Sequence, residues 1–157
     1  MEQATMESPL GFISIRGNDE GISEVYFDEE ALGATPTIPD ALVETVLQLN
    51  QYFEGKRTQF QLALKPFGTD FQQKVWKELL QIPFGSHKSY LDIAKQLGDP
   101  KVIRAAASAN GKNPIAIVIP CHRVIGSNGE LTGYAGGLHR KKWLLEHESP
   151  VKQGKLF

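Results

Sequence analysis

Residues 89–110 read SYLDIAKQLGDPKVIRAAASAN, and the way this stretch divides decides the fold. Ser89 is a helix-capping residue type and predicts a short helix through about residue 97. Gly98 breaks that helix, and Asp99 with Pro100 opens a second over about 101–110. Two short helices across a tight turn predict a helix-turn-helix. In the second, Arg104 is followed by Ala105, Ala106, Ala107, Ser108 and Ala109, where a reader of major-groove base edges needs long polar side chains. Small residues let the helix backbone come close instead. Such closeness suits a sequence-independent fit to the minor groove, with phosphates held by Lys101, Lys112 and backbone amides, and with Arg104 long enough to enter the base stack. Alanines are also good helix formers for packing on a core, so the pattern alone leaves both readings open.

Working outward, Thr69 and Gln72 match a capping box, and Phe71, Val75, Trp76 and Leu79 form an apolar stripe that runs to residue 81 and stops over 82–85. Beyond 111–114, the apolar run 115–119 is rich in branched residues and too short for most helices. It predicts a buried extended segment delivering Pro120, Cys121 and His122. A turn near 126–129, a loop over 133–137 and a last helix over 138–147 follow. Towards the other end, residues 10–16 and 22–27 have strand composition and are separated by a turn over 17–21, which predicts a hairpin. From Pro39, the residues Leu42, Val46, Leu49 and Phe53 follow helical spacing up to Gly55, and a further strand is expected over 59–64. Pro66 and Gly68 mark a linker. The expected fold class is α+β: a small sheet-plus-helix domain over 1–68, then a mostly helical domain over 69–157 carrying the helix-turn-helix.

Charge changes at the same place. Residues 1–64 carry 3 Lys and Arg against 11 Asp and Glu, a balance of −8, whereas residues 65–157 carry 14 against 7, a balance of +7. A basic module meeting an anion beside an acidic module that does not is the expectation this division sets up. With 157 residues, 41% of them hydrophobic, the chain is long enough for a real core. No signal segment occupies the first eleven positions, and no apolar run approaches the roughly 18 residues a membrane span needs, so a cytoplasmic location is expected. One cysteine excludes an internal disulfide, and His87, His122, His139 and His147 lack zinc-ligand spacing, so no metal or cofactor is expected. A monomer is expected because no exposed apolar stripe offers itself for pairing.

Cys121 leaves the apolar run between Pro120 and the polar pair His122 and Arg123, an unusual place for a passive thiol. A free thiol has a pKa of about 8.5, so nucleophilic use near neutral pH needs a basic partner or a stabilised thiolate. His122 is the nearest base. Adjacent residues of a regular strand face opposite ways, so the pair works only if Cys121 lies on a turn, opens a helical turn, or reaches His122 through a water. An acidic residue, for which Glu148 is the candidate, would orient the imidazole. Lone cysteines are also often buried for packing, and the neighbouring polar residues are what favour chemistry here.

Pro120-Cys121-His122-Arg123-Val124, preceded by Asn113-Pro114 and the run 115–119, resembles the active-site segment of the O6-alkylguanine-DNA alkyltransferases. The likeness extends through 71–76, 82–85, Ser89-Tyr90, Arg104-Ala105, Gly133-Tyr134, Gly136-Gly137, Trp143-Leu144-Leu145 and Glu148, in the family's order. It implies a ribonuclease-H-like first domain and a winged-helix-like second. It also implies irreversible transfer of an alkyl group from O6-alkylguanine, and from O4-alkylthymine, onto Cys121, once per chain and without a cofactor. By the same resemblance His122 acts through a water and is oriented by Glu148. Tyr90 protonates the guanine ring nitrogen and crowds the target phosphate, Arg104 fills the stack vacated by the rotated base, and Asn113 braces the helix-turn-helix against the active-site segment. Arg123 is implied to be structural. Ala105, Ser108, Lys101, Lys112 and Ser89 are implied on the face meeting double-stranded DNA through its minor groove, and Tyr134, Ala135, Gly136 and Val124 around the extruded base.

Two departures stand out. Ala135 occupies a loop position where some members have serine, so a backbone N–H would have to serve the guanine oxygen. No Cys or His cluster precedes Lys65, so the zinc site of some members is not expected. The rivals are a lesion-binding module without transfer, against which the cysteine argues, and a cysteine hydrolase, for which the sequence offers nothing further.

Overall fold

The computed structural model describes residues 1–150 and divides into two compact units, Met1–Phe67 with Pro114–Val118, and Gly68–Asn113 with the chain from Ile119 onward. The first unit is a three-stranded antiparallel sheet, β1 (Glu2–Ser8), β2 (Gly11–Asn18) and β3 (Gly21–Phe27) in that spatial order, with helix α1 (Val43–Phe53). Ala4, Met6, Ile13, Ile15, Val25, Leu42, Leu49 and Tyr52 fill its core. The hairpin β2–β3 was expected, but β1 was not. Its residues are mostly polar with only Ala4 and Met6 buried on the inner face, so pairing with β2 rather than composition makes it a strand.

The strand expected over 59–64 is absent; that segment has one isolated bridge, Ile22 to Leu64. Its backbone is satisfied in another way. The Gln48 amide accepts from Gln61 N–H at 2.9 Å and donates to Gln61 C=O at 3.2 Å, so a side chain replaces the ladder.

The second unit holds α2 (Asp70–Leu79), β4 (Lys88–Ser89), α3 (Tyr90–Gln96), α4 (Ile103–Gly111), β5 (Val124–Ile125) and α5 (Leu138–Glu148). Both predicted caps form: Thr69 Oγ1 accepts from Gln72 N–H while the Gln72 amide accepts from Thr69 N–H, and Ser89 exchanges the same pair of bonds with Asp92. Gly98, at φ 96°, takes the left-handed conformation that ends α3 and turns the chain into α4. Trp76 donates from its indole N–H to Ala109 C=O at 2.9 Å, tying α2 to α4. β4 and β5 pair in parallel, a short wing beside the helix-turn-helix that composition did not reveal.

Candidate active site

The run before the cysteine corrects the sequence reading. Ile115, Ile117, Val118 and Ile119 are buried as expected, but the segment is turned rather than extended. Ile115 still bridges to Val25; then Val118 N–H donates to Ala116 C=O at 2.8 Å around Ile117, whose φ is 71°. This is a γ-turn of the rare positive-φ kind, costing a β-branched residue about 1–3 kcal/mol, which burial of the Ile117 side chain offsets. A second γ-turn, of the common hand, follows at Pro120, with φ −82°, ψ 62° and Cys121 N–H donating to Ile119 C=O at 2.8 Å. Out of it the chain enters a single 3-10 turn, Cys121–Arg123. Successive side chains there are roughly 120° apart instead of opposed, which removes the strand objection to Cys121 and His122 acting together.

All three residues of that turn are buried. His122 Nε2 lies 2.8 Å from Glu148 Oε2, and Glu148 is held on its other side by Arg123, whose Nε donates to Oε1 at 2.7 Å and Nη2 to Oε2 at 3.0 Å. Arg123 Nη1 also donates to Ile82 C=O at 2.6 Å, and its guanidinium lies over the Phe84 ring. Burial would raise the Glu148 carboxyl, but the hydrogen bonds and charges of His122 and Arg123 outweigh it and hold that carboxyl well below the usual range. An ionised Glu148 can only accept, so Nε2–H donates to it and neutral His122 carries its lone pair on Nδ1. That atom is buried and has no hydrogen-bond partner among the described residues.

Burial also pushes the Cys121 thiol above its ordinary value, against the pull of an Asn113 hydrogen bond and the Lys141 charge. It pushes His122 below 6.5 despite Glu148. The resting pair is therefore a neutral thiol and a neutral imidazole. This arrangement suits a nucleophile that ionises only when its proton is taken by the base, not a standing thiolate.

Asn113 donates from Nδ2 to Ile119 C=O at 2.8 Å and hydrogen-bonds the thiol, fixing both ends of the second γ-turn. Asn110, buried on α4, reaches the Cys121 carbonyl from Nδ2 at 3.5 Å. Tyr90 is the first residue of α3, and its hydroxyl accepts from Thr132 Oγ1 at 3.0 Å. In the loop ahead of α5, Arg140 Nη1 donates to Gly136 C=O at 3.1 Å and Gly137 N–H to Tyr134 C=O at 2.9 Å, while Ala135 is exposed. Burial raises the Tyr134 hydroxyl well above its ordinary value, keeping it protonated. Val124 is buried, and its carbonyl accepts from Lys141 Nζ at 2.6 Å.

Lys141 went unremarked in the sequence although it is fully buried, with Nζ also donating to Thr132 C=O at 2.8 Å and burial bringing its pKa down to about 8. The signal was there in the spacing: 141, 144, 145 and 148 share one face of α5, so a buried Glu148 implies a buried Lys141.

Arg104, Ala105 and Ser108 are exposed on α4 with Lys101 and Lys112 beyond its ends, whereas Ala106 and Ala109 face the core. The helix thus uses its small residues on both sides. Ser89 is half-buried, with its oxygen occupied in capping α3. Among the described residues no group of His, Cys, Asp and Glu is placed to hold a metal ion, and no helix is long and apolar enough to cross a membrane.

Residues 1–66 match the family model described as 6-O-methylguanine DNA methyltransferase, ribonuclease-like domain, and residues 70–150 match the DNA binding domain of the same enzyme. The chain belongs to the 6-O-methylguanine DNA methyltransferase family. It is 47% identical over 148 residues to the methylated-DNA–protein-cysteine methyltransferase of Mycobacterium tuberculosis, covering 92% of this chain and 90% of that one. To its namesake from Methanosarcina acetivorans it is 45% identical over 155 residues, covering 94% and 98%. A crystal structure of Mycobacterium tuberculosis OGT in complex with DNA superposes with a TM-score of 0.85 at 47% identity, covering 94% of this chain and 92% of that one. The protein is thus a DNA-repair methyltransferase that moves the alkyl group from methylated DNA to a protein cysteine, and its α+β fold is the family's.

Proposed function

We propose that Cys121 is the acceptor, consumed once per chain, and that its substrate is duplex DNA carrying O6-alkylguanine, with O4-alkylthymine as a second lesion. The observation that carries this reading is the buried relay Glu148–His122 beside the sole cysteine, with Nδ1 left as a base. The thiol proton passes through a water to Nδ1, the sulfur forms a bond to the alkyl carbon, and the carbon–O6 bond breaks with its electron pair entering the purine. Tyr90 gives a proton to the purine ring, and His122 returns one, so the proton lost by the thiol ends on guanine. A thioether on Cys121 is a poor leaving group, so no step restores the thiol.

The exposed face of α4 supports docking in the minor groove, with Lys101 and Lys112 on phosphates, Ala105 and Ser108 close to the sugars, the Ser89 O–H donating to a phosphate, and Arg104 filling the stack. Base extrusion follows from the burial of Cys121, since a thiol under the surface cannot reach a carbon inside a duplex. Tyr134, Ala135 and Gly136 close over the extruded base against Val124. The protein acts as a monomer, in the cytoplasm, where a working thiol stays reduced.

Intact-protein mass after incubation with a duplex holding one O6-methylguanine tests the proposal. Wild type gains about 14 Da, the difference between a methyl group and the thiol hydrogen it replaces, and stops at one group per chain. Cys121→Ser gains nothing. A wild type that binds the duplex without gaining mass overturns transfer to Cys121.

A further inference from the structure

Thr132 stands in the stretch between β5 and α5, and neither its residue type nor its spacing drew attention in the sequence. Its hydroxyl donates to the Tyr90 phenolic oxygen at 3.0 Å. Its carbonyl accepts from the buried Lys141 Nζ at 2.8 Å, and that same ammonium lies 5.9 Å over the Tyr90 ring. Thr132 is therefore fixed through its backbone by a group whose second acceptor, the Val124 carbonyl at 2.6 Å, lies at the end of the active-site turn. The result is a tie from Val124 through Lys141 and Thr132 to Tyr90.

A phenol has one proton and two lone pairs. With Thr132 donating, one lone pair is occupied and the phenolic proton must point away from Thr132, towards whatever acceptor is presented to Tyr90. We infer that Thr132 is a positioning residue for proton transfer by Tyr90, setting the hydroxyl rotor so that the proton faces the departing base. The inference rests on the proposed role of Tyr90 as proton donor. In the step itself the Tyr90 O–H bond breaks, an N–H bond forms on the purine, and the phenolate recovers its proton from the His122 imidazolium through solvent.

A double-mutant cycle on single-turnover transfer at saturating O6-methylguanine duplex tests it, with binding of the same duplex and thermal midpoint measured beside the rate. Thr132→Val and Thr132→Ala are expected to slow transfer roughly fivefold, the effect of one ordinary hydrogen bond, with duplex binding unchanged. Thr132→Ser restores the rate to within about twofold of wild type, because the donor is back. In a Tyr90→Phe background the Thr132→Val effect disappears, since there is no hydroxyl to orient. If Tyr90→Phe is slow and Thr132→Val slows it further by the same factor, Thr132 acts through the loop and the inference fails while the role of Tyr90 stands. If Tyr90→Phe is as fast as wild type, Tyr90 is not the donor and both fall.

Discussion

Cys121 and His122 are both neutral at rest because both are buried, and this sets how the protein responds to pH and to other electrophiles. A thiol pushed up by burial is expected to resist iodoacetamide at pH 7 more than a free cysteine does; a faster reaction than the free amino acid, followed by mass, contradicts the neutral resting pair. The base form of His122 persists below its ordinary 6.5, so the transfer rate is expected to stay level from pH 8 through 6.5 and to fall only under more acid conditions. Stability follows the same side of the scale. An unfolded chain binds a proton at His122 below 6.5 and at Glu148 below 4.5, whereas the folded chain, with both lowered, does not. The contribution of these two groups to folded stability is thus full above 6.5 and is lost as pH falls, first through the histidine and then the glutamate. Glu148→Gln leaves the Arg123 charge buried without its counter-ion, and urea unfolding is expected to give a loss of about 3–5 kcal/mol.

At the scale of elements, α2 and α5 make different kinds of contribution. The capping box at the start of α2 is exposed and its bonds close on themselves, so Thr69→Ala is expected to cost about 1 kcal/mol in denaturant unfolding while leaving the transfer rate unchanged. α5 instead carries Lys141 and Glu148 on one buried face, and each reaches across to a different part of the site. Lys141→Met keeps much of the volume but strands the carbonyls of Val124 and Thr132. It is expected to lower stability by about 1–3 kcal/mol and to slow transfer as well, measured by urea unfolding and single-turnover kinetics. A loss of stability with an unaltered rate would confine Lys141 to packing.

Across the whole molecule the charge division bears on how DNA is held. If Lys101 and Lys112 meet phosphates, duplex affinity should fall with salt with a log–log slope of about −2, and Lys101→Ala should reduce that slope by about one. A slope near zero, measured by fluorescence anisotropy, would remove the helix-turn-helix from the interface. The acidic residues of 1–64, with their −8 balance, repel phosphate, so neutralising single charges there is expected to leave the slope alone.

Much of this protein was legible in its sequence because the signals are local. The Thr69–Gln72 pair, the Ser89 cap, the break at Gly98 and the hairpin across Asp19 and Glu20 each depend on residues within a few positions of one another, and each forms where its chemistry says it should. Local sequence also singled out Cys121 and His122, by their neighbours. Contacts over longer separations were beyond its reach. β1 exists because β2 pairs with it, Gln61 joins no ladder because Gln48 takes both its backbone hydrogen bonds, and Ile117 turns at positive φ with its side chain held in the core. Lys141 and Thr132 escaped notice for the same reason: their partners, Val124 and Tyr90, lie 17 and 42 residues away. Periodicity and capping report which element a residue joins, but which buried polar group it must satisfy is decided only when separate elements pack together.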